Sequence, residues 1–179
     1  MYTGMADVAA LGGYPEYVSA IDRIWENVVF KKLYLTGGIG ARHTTEAFGD
    51  AYELPNETAY TETCAAVGNV FWNLRMFLLH GDARYIDVAE LALYNGFLAG
   101  VGRSGDRFFY VNPLASRGNH HRQPWYGCAC CPTNVVRFVA SLGQYPYATI
   151  GEGEGICVLQ YIGGDADISL QSGDVRVTQ

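Results

Sequence analysis

The chain has 179 residues, of which 49% are hydrophobic, and this apolar content excludes an intrinsically disordered protein. A chain of this length can bury about 70% of its unfolded surface, so a core can form without disulfide bonds. The formal net charge is −6, and nucleic-acid binding would require a basic face instead. No run of about 18 apolar residues is present, so no membrane-spanning segment is predicted.

Apolar residues at 3–4 residue spacing predict helices in most of the chain before residue 143. The predicted helices cover about 15–33, 62–79, 82–97 and 135–142. Pro15 suits the first turn of the first helix, and Asp82 is a good N-cap for the third. The last helix is expected to follow a Thr133-Asn134 cap signal. Residues 7–13 are typical of the end of a further helix.

A faint internal repeat relates two of these helical regions. Four residues recur 68 positions later, in the pairs Leu11/Leu79, Gly13/Gly81, Tyr17/Tyr85 and Asn27/Asn95. Chance matching and true repetition both stay open, and true repetition would mean stacked helical hairpins. With long loops inserted between them, such hairpins fit a helical toroid better than a four-helix bundle.

The pattern changes after Pro146. Short runs with β-branched residues, separated by glycine turns, predict strands over 156–162, 167–170 and 174–178. Because three strands do not make a sandwich, we interpret them as the beginning of a β-domain. The predicted fold is therefore mainly α, with a helical domain over 1–147 and the start of a β-domain over 148–179.

Two loops between the helices carry unusual residues. The glycine-rich stretch Leu35–Gly40 resembles a phosphate-binding loop but lacks its lysine, so a structural turn is the preferred interpretation. The acidic stretch from Glu46 to Glu62 contains no Lys or Arg, and aromatic residues such as Tyr60 alternate with its carboxylates. This stretch is either a solvated loop or part of a sugar site, in which burial would suit Glu46 to acid catalysis.

Five cysteines are present, and three of them lie together as Cys128, Cys130 and Cys131. A fourth, Cys64, stands two residues after Glu62. Three thiolates and one carboxylate suffice for a tetrahedral zinc site. On spacing alone, a metal site, buried structural thiols and a disulfide all stay open.

The cysteines have basic and aromatic neighbours in the sequence. Nearby arginines stand at positions 103, 107, 117, 122 and 137. The adjacent pair His120-His121 is interpreted as loop surface rather than as metal ligands. Trp125-Tyr126 fits stacking on a sugar ring and ordinary packing equally well. Cys157, alone on a predicted strand, is assigned to the core.

Six motifs in a fixed order carry a family resemblance. They are Thr36–Gly40, Glu46–Phe48, Asp50–Asn56, Tyr60–Ala65, Phe109–Leu114 and Cys128–Asn134. Together they closely resemble the β-L-arabinofuranosidases of glycoside hydrolase family 127, over nearly the whole chain. Members of that family are longer and have an (α/α)6 barrel followed by β-sandwich domains. The resemblance implies the later part of that toroid over 1–147 and the first strands of a β-sandwich over 148–179.

The resemblance also implies roles for individual residues. The zinc ligands would be Glu62, Cys64, Cys130 and Cys131, with Zn²⁺ as the cofactor. Cys130 would also be the nucleophile, Glu46 the general acid/base, and Tyr110 a residue that lines the sugar site. Cys128 matches the motif but is not assigned as a ligand. The implied activity is retaining hydrolysis of β-L-arabinofuranosides, so the implied partner is a carbohydrate.

Two other functions stay open. The first is a glycosidase in which Glu46 works with a second carboxylate, from Glu53, Glu57 or Glu62, and the zinc and cysteines are structural. The second is a non-catalytic helical module with a structural zinc site. Both alternatives include a zinc site, but neither uses a cysteine as the nucleophile.

The N-terminal residues show no secretory signal, so a cytoplasmic protein is expected provided that no segment precedes them. A homodimer is one option for the full-length protein. The 179-residue chain on its own is expected to be inactive or poorly soluble, because the resemblance places other sugar-binding residues in a part of the barrel outside it.

Overall fold

A computed structural model of the protein describes all residues from 1 to 179. The chain forms two compact units, over 1–136 and 137–179. The first unit is helical and the second contains all of the strands, which agrees with the mainly α expectation. The domain boundary expected after residue 147 stays a prediction. No helix is both long and apolar enough to cross a membrane.

The first helical hairpin consists of α1, Tyr2–Gly12, and α2, Pro15–Lys31, which pack against each other. Gly13 ends α1 in the left-handed conformation with φ 63°, which glycine adopts without the steric cost of a side chain. Pro15 begins α2 at a position where its missing N–H would have no helical partner. The predicted helix end near residue 13 and the predicted start at Pro15 are confirmed.

The second hairpin consists of α3, Thr63–His80, and α4, Ala83–Leu91. Gly81 ends α3 with φ 68°, again in the left-handed conformation. Asp82 caps α4 by accepting a hydrogen bond from the Arg84 backbone N–H at 2.9 Å, as the sequence predicts. The weak repeat in the sequence therefore coincides with two hairpins that both turn at a left-handed glycine.

The helix that follows Asp82 changes character towards its C-terminal end. Ala92–Phe97 is π-helical, whereas the sequence predicts a regular helix as far as Phe97. The glycine-rich stretch packs against the start of this segment, and a Cβ on Gly37 would lie only 2.6 Å from the Ala92 nitrogen. Gly37 also has φ 76°, so glycine is required there for two separate reasons. The glycine-rich stretch is thus a structural turn.

A buried polar chain joins α2, α3 and this turn. The Trp25 indole N–H donates to Asn73 Oδ1 at 2.7 Å, and Asn73 Nδ2 donates to the Asn69 carbonyl at 2.8 Å. Asn69 Nδ2 in turn donates to the Gly37 carbonyl at 3.1 Å. All three side chains are buried, so these bonds replace the water that the core excludes. They fix α3, and with it the loops at its N-terminus, against its neighbours.

Helix α5, Cys130–Ser141, begins five residues before the predicted start at 135. The prediction that Thr133 and Asn134 cap this helix is wrong. Thr133 Oγ1 is instead bonded to backbone carbonyls one turn earlier, as in a helix interior. Pro132 is tolerated because the first helical turn needs no N–H donor there. The paired cysteines therefore lie in the first turn of a helix rather than in a loop.

The unit over 137–179 contains four strands in two antiparallel hairpins. The strands are β1, Tyr147–Ile150, β2, Gly155–Val158, β3, Asp165–Leu170, and β4, Gly173–Thr178. β1 pairs with β2, and β3 pairs with β4. The Gln171 N–H donates to the Gly153 carbonyl at 3.0 Å and connects the two hairpins.

The strand predictions are correct in part. The predicted strands over 167–170 and 174–178 correspond to β3 and β4, but β1 was not predicted. The strand predicted over 156–162 ends at Val158. There the Leu159 N–H donates to the Pro146 carbonyl, and Pro146 has no N–H to continue the ladder. Two separate two-stranded sheets are observed, so the complete toroid and the β-sandwich stay predictions.

Replacing Asn73 by alanine tests the buried polar chain. The variant leaves the Trp25 indole N–H without its acceptor, so the free energy of unfolding should fall by about 1–3 kcal/mol. Urea unfolding of the full-length protein, followed by tryptophan fluorescence, measures this. Asn27→Ala on the exposed side of α2 is the matched control and should not lower the free energy of unfolding. Equal losses in the two variants would contradict the role of the chain.

Candidate functional site

Four side chains from two distant parts of the sequence converge in the helical unit. They are Glu62, Cys64, Cys130 and Cys131, whose ligand atoms all lie within 4.8 Å of one another. Cys64 Sγ lies 3.3 Å from Cys131 Sγ, and Cys130 Sγ lies 3.3 Å from Glu62 Oε1. All five cysteines are free, so the disulfide interpretation is wrong. This donor set could hold a metal ion.

Both halves of the cluster lie at helix N-termini. Glu62 is the N-cap residue of α3 and Cys64 lies in its first turn, while Cys130 and Cys131 lie in the first turn of α5. The unpaired N–H groups and the helix dipole at such ends favour negative charge. These helix ends therefore help to stabilise thiolates in this cluster, an effect that the burial of the Cys130 and Cys131 thiols opposes.

A strand-like segment holds the glutamate end of the cluster. Glu62 forms an antiparallel bridge with Val111. Asn112 Nδ2 donates to the Thr61 carbonyl at 3.1 Å and to Thr63 Oγ1 at 3.0 Å, so it bonds the residues on both sides of Glu62. Thr61 has φ 35°, a strained conformation for a residue with a β-branched side chain. Asn112 therefore bonds both neighbours of Glu62 and helps to hold Thr61 in its strained conformation.

The thiols perturb one another. Burial raises the pKa of the Cys130 thiol to about 12. A hydrogen bond to Cys64, together with burial, raises the pKa of the Cys131 thiol, and the same hydrogen bond lowers the pKa of the Cys64 thiol. Asn134 Nδ2 also donates to Cys64 Sγ at 3.2 Å. Neighbouring thiols and a carboxylate resist ionising together unless a positive charge is present.

Tyr110, for which the resemblance implies a sugar-lining role, lies beside the cluster. Its hydroxyl is 3.0 Å from Cys130 Sγ. Tyr126 packs edge to face on Tyr110, with ring centroids 5.5 Å apart, and donates its hydroxyl to the Phe108 carbonyl at 3.1 Å. Tyr126 is thus a packing residue that supports Tyr110. Cys128 is exposed and does not belong to the cluster of four.

Glu46 lies on a tight turn in the acidic stretch. A backbone bridge between Arg42 and Ala47 closes the turn, and the Glu46 N–H donates to the His43 carbonyl at 3.2 Å. Glu46 has φ 49°, a left-handed conformation that costs a non-glycine residue about 1–2 kcal/mol. The Tyr60 hydroxyl donates to Glu46 Oε1 at 2.8 Å. A strained backbone that presents a carboxylate marks Glu46 as a functional candidate.

Three other carboxylates of the acidic stretch, from Asp50, Glu53 and Glu57, form ion pairs with arginines. Arg42 Nε donates to Glu53 Oε1 at 2.8 Å, and Arg42 also lies 3.0 Å from Asp50. The hydrogen bond from Arg42 lowers the pKa of Glu53 to about 2, so this carboxyl group stays ionised. Glu57 is exposed and lies 3.4 Å from Arg117. Glu53 and Glu57 therefore form ion pairs with arginines, whereas the observed side-chain partner of Glu46 is the Tyr60 hydroxyl.

The aromatic and basic neighbours have mostly packing roles. His120 Nε2 lies 2.8 Å from the Val111 carbonyl, and its ring stacks on Phe109 at 4.5 Å. Arg122 lies over the same Phe109 ring at 4.5 Å from its centroid. His120 is thus not in the cluster, as the sequence indicates. Trp125 is 60% exposed, which leaves it open for stacking on a ligand.

Sequence reasoning missed three polar residues next to the site. They are Tyr60 as the partner of Glu46, Asn112 as the support of Glu62, and Asn134 as the donor to Cys64. No spacing rule marks them, because each bonds a residue at least 14 positions away. All three lie within the six motifs, which is the one signal that could have pointed to them.

Comparison with known proteins identifies the family of the chain. The family model for the β-L-arabinofuranosidase GH127 catalytic domain matches residues 1–144. The chain belongs to glycoside hydrolase family 127. A curated relative in the family, the non-reducing end β-L-arabinofuranosidase of Bifidobacterium longum subsp. longum, is 36% identical over 178 residues. That match covers 93% of this chain and 27% of the relative.

Solved family 127 structures have the same fold over this chain. A GH127 β-arabinofuranosidase is 55% identical with a TM-score of 0.93, and the match covers 98% of this chain and 27% of that one. A GH127 β-L-arabinofuranosidase from Geobacillus Stearothermophilus T6 is 40% identical with a TM-score of 0.92, covering 99% and 29%. The chain therefore spans less than a third of the length of these relatives.

Proposed function

We propose that this protein is a retaining glycosidase that acts on β-L-arabinofuranosides, with Cys130 as the nucleophile and Glu46 as the acid/base. The convergence of three cysteines and one glutamate within 4.8 Å carries the proposal. Membership of family 127 supports the reaction class. The names of the Bifidobacterium longum and Geobacillus relatives support the sugar class.

The four clustered side chains fit a zinc ion. A tetrahedral zinc site, with bonds of about 2.1 Å to oxygen and 2.3 Å to sulfur, places its ligand atoms about 3.6–3.8 Å apart. The sulfur separations are 3.3 Å for Cys64–Cys131 and 3.9 Å for Cys130–Cys131, close to this spacing. When bound, zinc would keep the coordinating thiols deprotonated at neutral pH. The positive charge of a bound zinc ion would offset the burial that raises the pKa of the Cys130 thiol.

In the first step, Cys130 attacks the anomeric carbon of the arabinofuranose. A bond forms between the Cys130 sulfur and this carbon as the bond to the leaving oxygen breaks. Protonated Glu46 gives its proton to the leaving oxygen, so the products are an alcohol and a thioglycosyl enzyme. The Tyr110 hydroxyl, 3.0 Å from Cys130 Sγ, is placed to donate to the sulfur and orient it.

In the second step, water attacks the same carbon and the carbon–sulfur bond breaks. The Glu46 carboxylate accepts the proton of this water, which regenerates the acid, and Cys130 leaves as the thiolate. Because the anomeric carbon is inverted twice, the configuration of the sugar is retained.

The two-carboxylate alternative has less support. Of the three carboxylates considered as partners of Glu46, Glu53 forms an ion pair with Arg42 and Glu57 is exposed beside Arg117. Glu62 lies 3.3 Å from Cys130 Sγ and is better suited to bind a metal than to attack a sugar. A thiol is then the nucleophile that the geometry leaves available.

A structural zinc site in a non-catalytic module is a second candidate, and one observation favours it. The cluster supplies four protein ligands, as closed structural zinc sites do, whereas most catalytic zinc sites keep one position for water or substrate. In the proposed mechanism a ligand itself is the nucleophile, so no open position is needed. Activity measurements on variants of Cys130 separate the two candidates.

The metal assignment predicts the zinc content of the full-length protein. Protein purified without added metal should contain about one zinc per chain by elemental analysis, since four ligands bind it tightly. Cys131→Ser should lower this content because it removes a buried ligand. Cys157→Ser, on β2, is the matched control and should leave the content unchanged. Less than about a tenth of an equivalent of zinc would contradict the assignment.

The nucleophile assignment predicts the effect of Cys130→Ser. Turnover of an aryl β-L-arabinofuranoside should fall by about 10⁴-fold or more, because a serine hydroxyl is a far weaker nucleophile than a thiolate. Part of the zinc should stay bound by the other three ligands. A zinc-containing variant that kept more than about a tenth of the activity would make Cys130 structural.

The acid/base assignment predicts a different result for Glu46→Gln. Turnover should fall by about 10²–10⁴-fold, and added azide should restore part of it, because azide attacks without needing a general base. Glu57→Gln, an exposed carboxylate in the same stretch, is the control and should keep its activity. The absence of azide rescue on an activated aryl substrate would contradict the role of Glu46.

A further inference from the structure

Tyr60 is the only side chain for which a direct hydrogen bond to Glu46 is observed, at 2.8 Å from Oε1. It is 7% exposed and stands two residues before the cluster residue Glu62. Two contacts fix its position. The neighbouring Thr61 N–H donates to the Gly40 carbonyl at 2.8 Å, and the Tyr60 ring packs edge to face on His43 with the centroids 4.9 Å apart. Tyr60 is therefore a rigid donor aimed at a carboxylate on a strained turn.

We propose that Tyr60 is the positioning residue that makes Glu46 effective as an acid and a base. By donating to Oε1, Tyr60 leaves Oε2 as the oxygen that carries the transferable proton. The same hydrogen bond stabilises the carboxylate once that proton has left. This inference rests on the proposed function, because it assumes that Glu46 exchanges a proton with the substrate.

The position of Tyr60 also relates the two reacting groups. The Tyr60 hydroxyl donates to Glu46 Oε1 at 2.8 Å, and the Tyr110 hydroxyl lies 3.0 Å from Cys130 Sγ. During the first step, negative charge moves from the Cys130 sulfur to the Glu46 carboxylate. The Cys130 sulfur is then a thioether and a weak acceptor, whereas the Glu46 carboxylate still accepts the hydrogen bond from Tyr60. The two tyrosines thus supply hydrogen bonds at whichever end of the site holds the charge.

Four polar or titratable side chains face the Tyr60 hydroxyl or ring. They are His43, Glu46, Glu62 and Tyr110. Only Glu46 accepts the Tyr60 proton, so removal of the hydroxyl has one direct consequence for the proposed chemistry.

Tyr34 supplies a matched control for the removal of this hydroxyl. It is also a buried tyrosine, 2% exposed, but its hydroxyl has no hydrogen-bond partner. It packs in a hydrophobic cluster with Ala41 and Ala59. Tyr34→Phe removes the same atoms as Tyr60→Phe without breaking a hydrogen bond.

The test compares kcat/KM for two substrates in the full-length zinc-containing protein. A methyl β-L-arabinofuranoside needs a proton on its leaving oxygen, whereas a p-nitrophenyl β-L-arabinofuranoside needs little help. Tyr60→Phe should lower kcat/KM for the methyl substrate by about tenfold or more, and for the aryl substrate by less than about threefold. Tyr34→Phe should leave the ratio of the two values unchanged.

A double variant separates positioning from structural damage. If Tyr60 acts through Glu46, then Tyr60→Phe added to Glu46→Gln should cause almost no further loss on the methyl substrate. If Tyr60 only supports the fold, the fold-reductions in kcat/KM caused by Tyr60→Phe and by Glu46→Gln should multiply in the double variant. Zinc content and thermal unfolding of Tyr60→Phe, measured beside the wild type, show whether the variant is folded.

The outcomes distinguish this inference from the proposed function. Equal loss on both substrates, or multiplying losses in the double variant, would overturn the role of Tyr60 and leave the proposed function intact. A wild-type protein that hydrolyses neither substrate would overturn the proposed function and the inference with it.

Discussion

Three thiols and a carboxylate crowded within 4.8 Å form the constraint on which the rest of the site depends. Such a cluster cannot be fully ionised by itself, and burial raises the pKa of the Cys130 thiol to about 12. A divalent cation would offset the repulsion between the negative groups, because all four side chains could then bind it as ligands. Metal binding would therefore be required for thiolate formation, and so for the proposed nucleophile.

The fold meets this requirement by holding two helix N-termini together. Glu62 and Cys64 begin α3, and the paired cysteines begin α5, more than 60 residues later in the sequence. Asn112 fixes the backbone around Glu62, while the buried chain from Trp25 to Asn73 anchors α3 further along its length. Glu46 lies on a separate turn, joined to the neighbourhood of Glu62 by Tyr60. Hydrogen bonds outside the cluster thus support the positions of Glu46, Glu62 and α3.

Much of this arrangement could be predicted from the sequence, and the exceptions have physical causes. Helices α2, α3 and α4 follow from apolar spacing, Pro15, Gly81 and Asp82, because these signals are local. The start of α5 was misplaced because Thr133 and Asn134 resemble cap residues but lie inside the helix, whereas Pro132, which suits a first helical turn, was not used as a start signal.

From the residues alone a metal site was one of three open interpretations, and only the family resemblance specified these four ligands, since contacts between distant residues leave no periodic trace. The supporting hydrogen bonds of Tyr60, Asn112 and Asn134 were not anticipated for the same reason. A cytoplasmic location and a homodimer stay predictions, because no feature of the fold bears on either.

The central claim is that Cys130 becomes covalently attached to the sugar. The most direct test is mass spectrometry of tryptic peptides after Glu46→Gln protein has reacted with an activated aryl β-L-arabinofuranoside. Trypsin separates residues 43–75, which contain the acidic stretch and Cys64, from residues 123–137, which contain Cys128, Cys130 and Cys131. The account predicts one arabinosyl group on the second peptide, located at Cys130 by fragmentation. An arabinosyl group on the first peptide, or none on either, would contradict it.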